Sequence, residues 1–208
     1  PFFKTDFHIV VADPHRPGHE MTYYPGETNV RLADVVVINK VVEAEFENVQ
    51  QVAENVRALN PRAVIVEAAS PVTVSDPSLI TGRKVLVVED GPTLTHGGMT
   101  YGAGVIAALR HGAAELVDPR PWVTGRIAET FQKYPEIGTL LPAMGYGAQQ
   151  VADLERCIDA VECDAVVIGT PIDLSRVIKI RKPAVRVGYE LQEIGRPDLP
   201  ELLARFVK

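Results

Sequence analysis

The sequence predicts an α/β fold in which a mostly parallel sheet is flanked by helices. Three observations carry that prediction. Short Val/Ile runs alternate with helical stretches almost to the end of the chain. The runs are solidly apolar, as in strands covered on both faces. The longest helical stretch repeats Val49, Val52, Val56 and Leu59 at helical spacing, which gives it one face for the core.

Taken in order, a strand is expected over residues 7–12, ending in a charged loop. A second spans 34–38, and a helix over 43–59 leads to a third strand at 63–66. A soft boundary falls at 75–83, where Asp76-Pro77 and Thr81-Gly82 punctuate the chain. It divides the sequence into a first part, 1–75, and a second, 76–208. In the second part strands are expected at 84–88, 115–117, 139–142, 165–168 and 184–187. Helices are expected at 101–111, 124–133, 148–160 and 197–206.

With 208 residues, 46% of them hydrophobic, the chain can bury one good core, or one domain and part of another. A net charge of −6 with scattered basic residues argues against nucleic-acid binding. No apolar run approaches the ~18–20 residues of a bilayer span, and no signal peptide is expected. A cytoplasmic protein without a membrane partner is expected, in which Cys157 and Cys163 are ordinary reduced thiols rather than a zinc site or a disulfide. The chain opens with Pro1-Phe2-Phe3 rather than Met, so a fragment of a longer polypeptide is expected.

The most informative run is Ala33-Asp34-Val35-Val36-Val37-Ile38-Asn39-Lys40, a buried strand with Asn-Lys at its carboxyl end, where α/β proteins place ligand groups. In P-loop NTP-binding proteins an Asn-Lys-x-Asp tail reads the base, and its Asp accepts hydrogen bonds from guanine. Here the fourth position is Val42, which cannot accept. Loss of that acceptor should cost about 2–4 kcal/mol of guanine preference, which an ATP user would not miss.

Two loops crowd polar groups at strand ends. The first reads Asp13-Pro14-His15-Arg16-Pro17-Gly18-His19-Glu20 and runs on through Tyr23-Tyr24. Arg16 could clamp a phosphate or carboxylate, and His15 or His19 could move a proton. The second reads Glu89-Asp90-Gly91-Pro92-Thr93-Leu94-Thr95-His96-Gly97-Gly98-Met99 and enters a small-residue helix through Gly102 and Gly104. Its glycines would let backbone amides approach an anion, or would let helix and strand pack closely. Glu89 or Asp90 could hold Mg²⁺ carried by polyphosphate, or orient His96. No GxxxxGK[ST] phosphate cradle occurs anywhere, and no strong metal-ligand spacing is present.

Together these stretches, with 23–29 and 67–71, resemble cyclic 2,3-diphosphoglycerate synthetase and its "predicted GTPase" relatives over essentially the whole chain. The resemblance implies the carboxyl-terminal half of a longer enzyme: the second part of a P-loop NTPase-like domain in 1–75 and a family-specific α/β lobe in 76–208. The implied reaction is ATP-driven closure of a phosphorylated small acid to an intramolecular pyrophosphate, with Mg²⁺, inactive without the upstream P-loop half of the same polypeptide. Asp13, His15, Glu89, Asp90 and His96 are then expected in catalysis. Asn39, Lys40, Ala69, Ser70 and Pro71 are expected at the nucleotide base. Arg16, His19, Tyr24, Arg31, Thr93, Thr95, Gly97, Gly98 and Arg120 are expected at the phosphorylated substrate, in one electropositive pocket formed by several strand ends. No resident metal site is expected, and a homo-oligomer is allowed. The strand-end pattern is also similar to nickel-insertion GTPases, which leaves a regulatory nucleotide switch open beside a non-catalytic binding lobe.

Overall fold

The computed structural model describes residues 4–95, 100–145, 147–204 and 206, apart from the side chain of Thr93. In chain order the elements are β1 (Ile9–Ala12), α1 (His19–Thr22), α2 (Gly26–Leu32), β2 (Val35–Ile38), α3 (Phe46–Leu59), β3 (Val64–Ala69) and β4 (Val72–Val74). Next come β5 (Lys84–Asp90), α4 (Gly91–Thr95), α5 (Ala103–Arg110), β6 (Glu115–Leu116), α6 (Gly125–Lys133), β7 (Leu141–Ala143) and α7 (Ala148–Ala160). The last are β8 (Ala165–Ile168), β9 (Ala184–Tyr189), β10 (Gln192–Ile194) and α8 (Leu199–Leu203).

The chain divides into two compact units. The first holds the residues up to Pro71 and those from Glu190 onward; the second runs Val72–Tyr189.

The first unit is a sheet of order β1-β2-β3-β10, with β1, β2 and β3 parallel and β10 antiparallel to β3. All four residues of β2 are buried, as a central strand of Val and Ile should be. Its side chains alternate between two cores. Val36 and Ile38 meet Val49, Val52 and Val56 of α3, while Val35 and Val37 meet Leu202 of α8. Buried Asn60, just past α3, donates from Nδ2 to the carbonyls of Val30 at 3.0 Å and Ala33 at 2.8 Å. That one amide satisfies carbonyls at the end of α2 and fixes it against α3.

The second unit has a sheet of order β4-β9-β8-β5-β6, with β7 also paired to β5. β6 pairs with Lys84 and Val85, β7 with Val88 to Asp90, so the two share one edge of β5 in succession. β4 is antiparallel to β9; the other pairings are parallel. β5 and β8 are buried almost throughout and form the centre of one continuous core.

A mixed α/β architecture of parallel and mixed sheets with flanking helices is thus present, and each of the eight expected strands and five expected helices has a counterpart. β4, β10, α1, α2 and α4 add to them. The helix expected from residue 43 starts at Phe46, because the chain leaves β2 through Lys40 in the left-handed region, at φ 62°, and then turns. No described helix is long and apolar enough to cross a membrane. Both cysteines are free thiols, and burial raises the pKa of each.

Candidate functional site

In the first unit β1 and β2 are parallel neighbours, so Asp13 and Asn39-Lys40 emerge side by side at their carboxyl ends. The Asn39 amide donates to the Ala12 carbonyl at 3.0 Å, which extends the ladder to the rim. Lys40 Nζ then reaches Asp13 Oδ2 at 3.0 Å, and the His15 amide donates to Asp13 Oδ1 at 3.1 Å. Burial works to raise the Asp13 carboxyl. The Lys40 hydrogen bond, the His15 amide and both positive charges outweigh it and hold the group below its ordinary value.

Lys40 is the one described non-glycine residue at positive φ. A left-handed lysine costs about 1–2 kcal/mol, and such strain concentrates at working loops. Beside it, Asn39 Oδ1 is buried with no hydrogen-bond partner. A buried acceptor left unpaired costs about 1–3 kcal/mol, so it marks a place where a donor belongs. β3 lies next to β2, and the Val41 amide donates to the Ala68 carbonyl at 3.1 Å. Ala69, Ser70 and Pro71 therefore follow on the same rim as Asn39 and Lys40. The Glu190 amide donates to the Pro71 carbonyl at 3.3 Å, so the returning chain borders this loop.

The loop after β1 is held from within. Buried Glu20 accepts the Gly18 amide at 3.0 Å and the side-chain amide of Asn55. Sequence reading passed over this anchor, and a carboxylate two residues past a glycine gave little signal. Arg16 is half-buried and has no carboxylate partner among the described residues. His15 and His19 are exposed; the His19 ring stacks on Tyr23 at 5.3 Å, and Tyr24 is 89% exposed. Arg31 is not brought to the rim. It pairs with Glu27 at 2.8 Å and reaches the Leu59 carbonyl, toward the amino ends of the parallel strands and so at the opposite end of the sheet from Asp13.

In the second unit β5 ends in Glu89-Asp90, and the two carboxylates part company. Glu89 is 3% exposed and faces α5, where it accepts the Val105 amide at 3.0 Å and those of Gly104 and Gly102. Burial drives its pKa from 4.5 up to about 7 against those amides, with the charge of Asp90 adding. A Cβ on Gly102 would stand 2.6 Å from the Glu89 carboxylate, and one on Gly104 would stand 2.8 Å from Val87 and 3.0 Å from Glu89. A Cβ on Gly169 would strike Glu89 as well. The small-residue approach to α5 therefore admits the protein's own carboxylate and close helix–strand packing. Asp90 stays on the rim, half-buried.

Arg120 is held by Nη1 donating to both oxygens of Asp118 at 3.0 Å, by Nη2 donating to the Ile137 carbonyl, and by the Phe131 ring 4.6 Å away. Thr95 Oγ1 donates to the Gly91 carbonyl at 3.0 Å. His96, Gly97 and Gly98 lie outside the described residues, as does the Thr93 side chain. Among the described residues no group of three or more His, Cys, Asp or Glu gathers as a metal centre.

No protein-family model matches the chain. It is 56% identical to arginine synthetase ArcE of Thermococcus kodakarensis, over 100% of this chain and 46% of that protein. It is 23% identical to cyclic 2,3-diphosphoglycerate synthetase of Methanosphaera stadtmanae, over 93% of this chain and 41% of that protein. The chain is a relative of both synthetases, and the resemblance read from its motifs is borne out. It spans less than half the length of each.

Proposed function

We propose that the chain is the base-reading and acid-binding part of an ATP-dependent synthetase. The observation that carries the nucleotide half of this reading is the unpaired, buried Asn39 Oδ1 beside strained Lys40. An exocyclic amino group, such as that of adenine, would supply the donor this oxygen lacks once the rim loop shifts to uncover it, since the oxygen has no solvent contact here. The Lys40 stem would lie along the base, its ammonium steadied by Asp13, with Ala69-Ser70-Pro71 as the facing loop. Val42 in place of an acceptor supports ATP over GTP.

The remaining parts follow from synthetase chemistry. Such an enzyme activates an oxygen of its substrate by phosphoryl transfer and lets a second group displace the phosphate. Arg16 would hold an anionic group of substrate or nucleotide. Asp90 would be a single carboxylate for Mg²⁺, whose role is to offset phosphate charge; such ions take one or two carboxylates and substrate oxygens for the rest. The phosphate cradle would come from the remainder of a longer polypeptide with a P-loop NTPase-like domain, of which residues 1–75 would be the second part. The similarity to arginine synthetase, at 56% identity, favours an amino-acid product over a cyclic pyrophosphate.

Calorimetry on the protein that carries this chain separates the two substrate classes. With Mg²⁺ and ATP present, arginine should bind at least about tenfold more tightly than 2,3-diphosphoglycerate. The reverse order would restore the phosphorylated acid. Binding of neither would remove the synthetase reading.

A further inference from the structure

The second unit contains an open cleft of about 410 Å³ that the motifs did not point to. Val88, Ile168 and Arg186 are in register across β5, β8 and β9 and so share one face of the sheet. Val87 and Glu89, one residue out of step, face α5 on the other side. The cleft lies on the Ile168 face, between the sheet and the segment 173–180 that follows β8. It opens beside the carboxyl end of β8 and the first half of β9, where Ala184 and Arg186 line it together with Ser75.

Its lining divides into two kinds of surface. Ile168, Ile178 and Ile180 give an apolar floor. Lys179 and Arg186 supply two positive charges at its mouth, both on exposed residues. Among the described residues no carboxylate forms an ion pair with Lys179 or Arg186, although Arg186 is near enough to Asp173 for its charge to help lower that carboxyl's pKa. Asp173 also lines the cleft, but its oxygens are taken by the amide and hydroxyl of Ser175, at 3.2 and 2.6 Å, and by Arg176 at 3.4 Å. Arg186 is also oriented, because Nη2 donates to the Pro171 carbonyl at 3.0 Å and its other N–H groups are left for a ligand. By contrast, Arg31, Lys40 and Arg120 are each paired with a carboxylate.

We propose that this cleft binds a small organic anion, with a carboxylate or phosphate end on Lys179 and Arg186 and a short aliphatic stem on the isoleucine floor. Assigning that anion to the synthetase's acid substrate rests on the reading above; the pocket itself does not. A guanidinium oriented by a backbone carbonyl and an ammonium in the same lining suit an oxyanion. The floor favours a ligand with methylenes over a bare ion.

The test is calorimetric titration of the protein, without nucleotide, with butyrate, acetate and inorganic phosphate. For ligands this small, binding is expected in about the millimolar range. The double variant Lys179→Gln, Arg186→Gln should weaken binding at least about tenfold, since each lost charged hydrogen bond is worth that much or more. Both residues are exposed, so the variant should melt with the wild type. Butyrate binding more tightly than both acetate and phosphate identifies a carboxylate on an aliphatic stem; phosphate binding more tightly identifies a phosphate end. If none of the three binds, or if the variant binds as the wild type does, the proposal fails. Butyrate bound here in a protein that recognises neither arginine nor 2,3-diphosphoglycerate would discard the synthetase reading and keep the pocket.

Discussion

Gly169→Ala is expected to destabilise the second unit by about 2–4 kcal/mol, the sum of overpacking and a displaced buried hydrogen-bond network. The added methyl has nowhere to go. Its Cβ would strike the Glu89 carboxylate and stand 2.7 Å from the Gly104 amide nitrogen. Those atoms cannot yield cheaply, since Glu89 is fixed by the amides at the start of α5 and its strand is buried. Gly82 is the matched control for a glycine without such neighbours. It has a positive φ of 67° but open space around it, so Gly82→Asn should cost less than about 1 kcal/mol. Urea denaturation of both variants makes the comparison. A Gly169→Ala midpoint equal to that of the wild type would mean that Glu89 is free to swing away from α5.

The second large effect is a pH dependence at Glu89. Its carboxyl has a pKa raised from 4.5 to about 7 in the folded protein, because burial outweighs the three helix amides. A group raised in this way binds its proton more tightly when folded. Its contribution is complete below about pH 4.5 and is lost as pH rises toward 7, a change of about 3 kcal/mol. Glu89→Gln has no such titration. The stability of the wild type relative to this variant should therefore fall across that interval and level off above it. Parallel profiles for the two proteins would mean that water reaches the carboxylate. Glu89→Leu is the more severe change, since it would leave the amides of Gly102, Gly104 and Val105 without an acceptor.

Much of the fold could be read from apolar runs, and the reasons for the gaps are physical. β2 and β8 consist wholly of Val, Ile and Ala and are buried throughout, so hydropathy alone finds them. β10 reads Gln-Glu-Ile and owes its strand to pairing with β3, more than 120 residues earlier in the chain, which no local pattern reveals. α1 and α2 sit in a stretch rich in Pro, Gly and charge, where loop signals outweigh helical ones. At the rims, residue type and strand-end position could be read, whereas side-chain direction could not. Asn39 and Lys40 stand where the strand pattern put them. Glu89 and Asp90 are adjacent, yet one turns inward to a helix and the other stays at the surface. The Gly102-x-Gly104 spacing was compatible with either an anion site or close packing, and it is occupied by Glu89. Lys179 and Arg186 gave no motif at all, because three-dimensional proximity across β9 and a loop brings them to one cleft.

The base-reading role proposed for the first unit is tested most directly by Asn39→Leu, with ATP affinity and folding stability measured on the same preparation. If the buried Oδ1 waits for a nucleotide donor, ATP should bind about 10–100-fold more weakly while stability is unchanged or rises, because an unsatisfied polar atom has been removed. Unaltered ATP affinity, or a loss of stability that accounts for the weaker binding, would contradict that role.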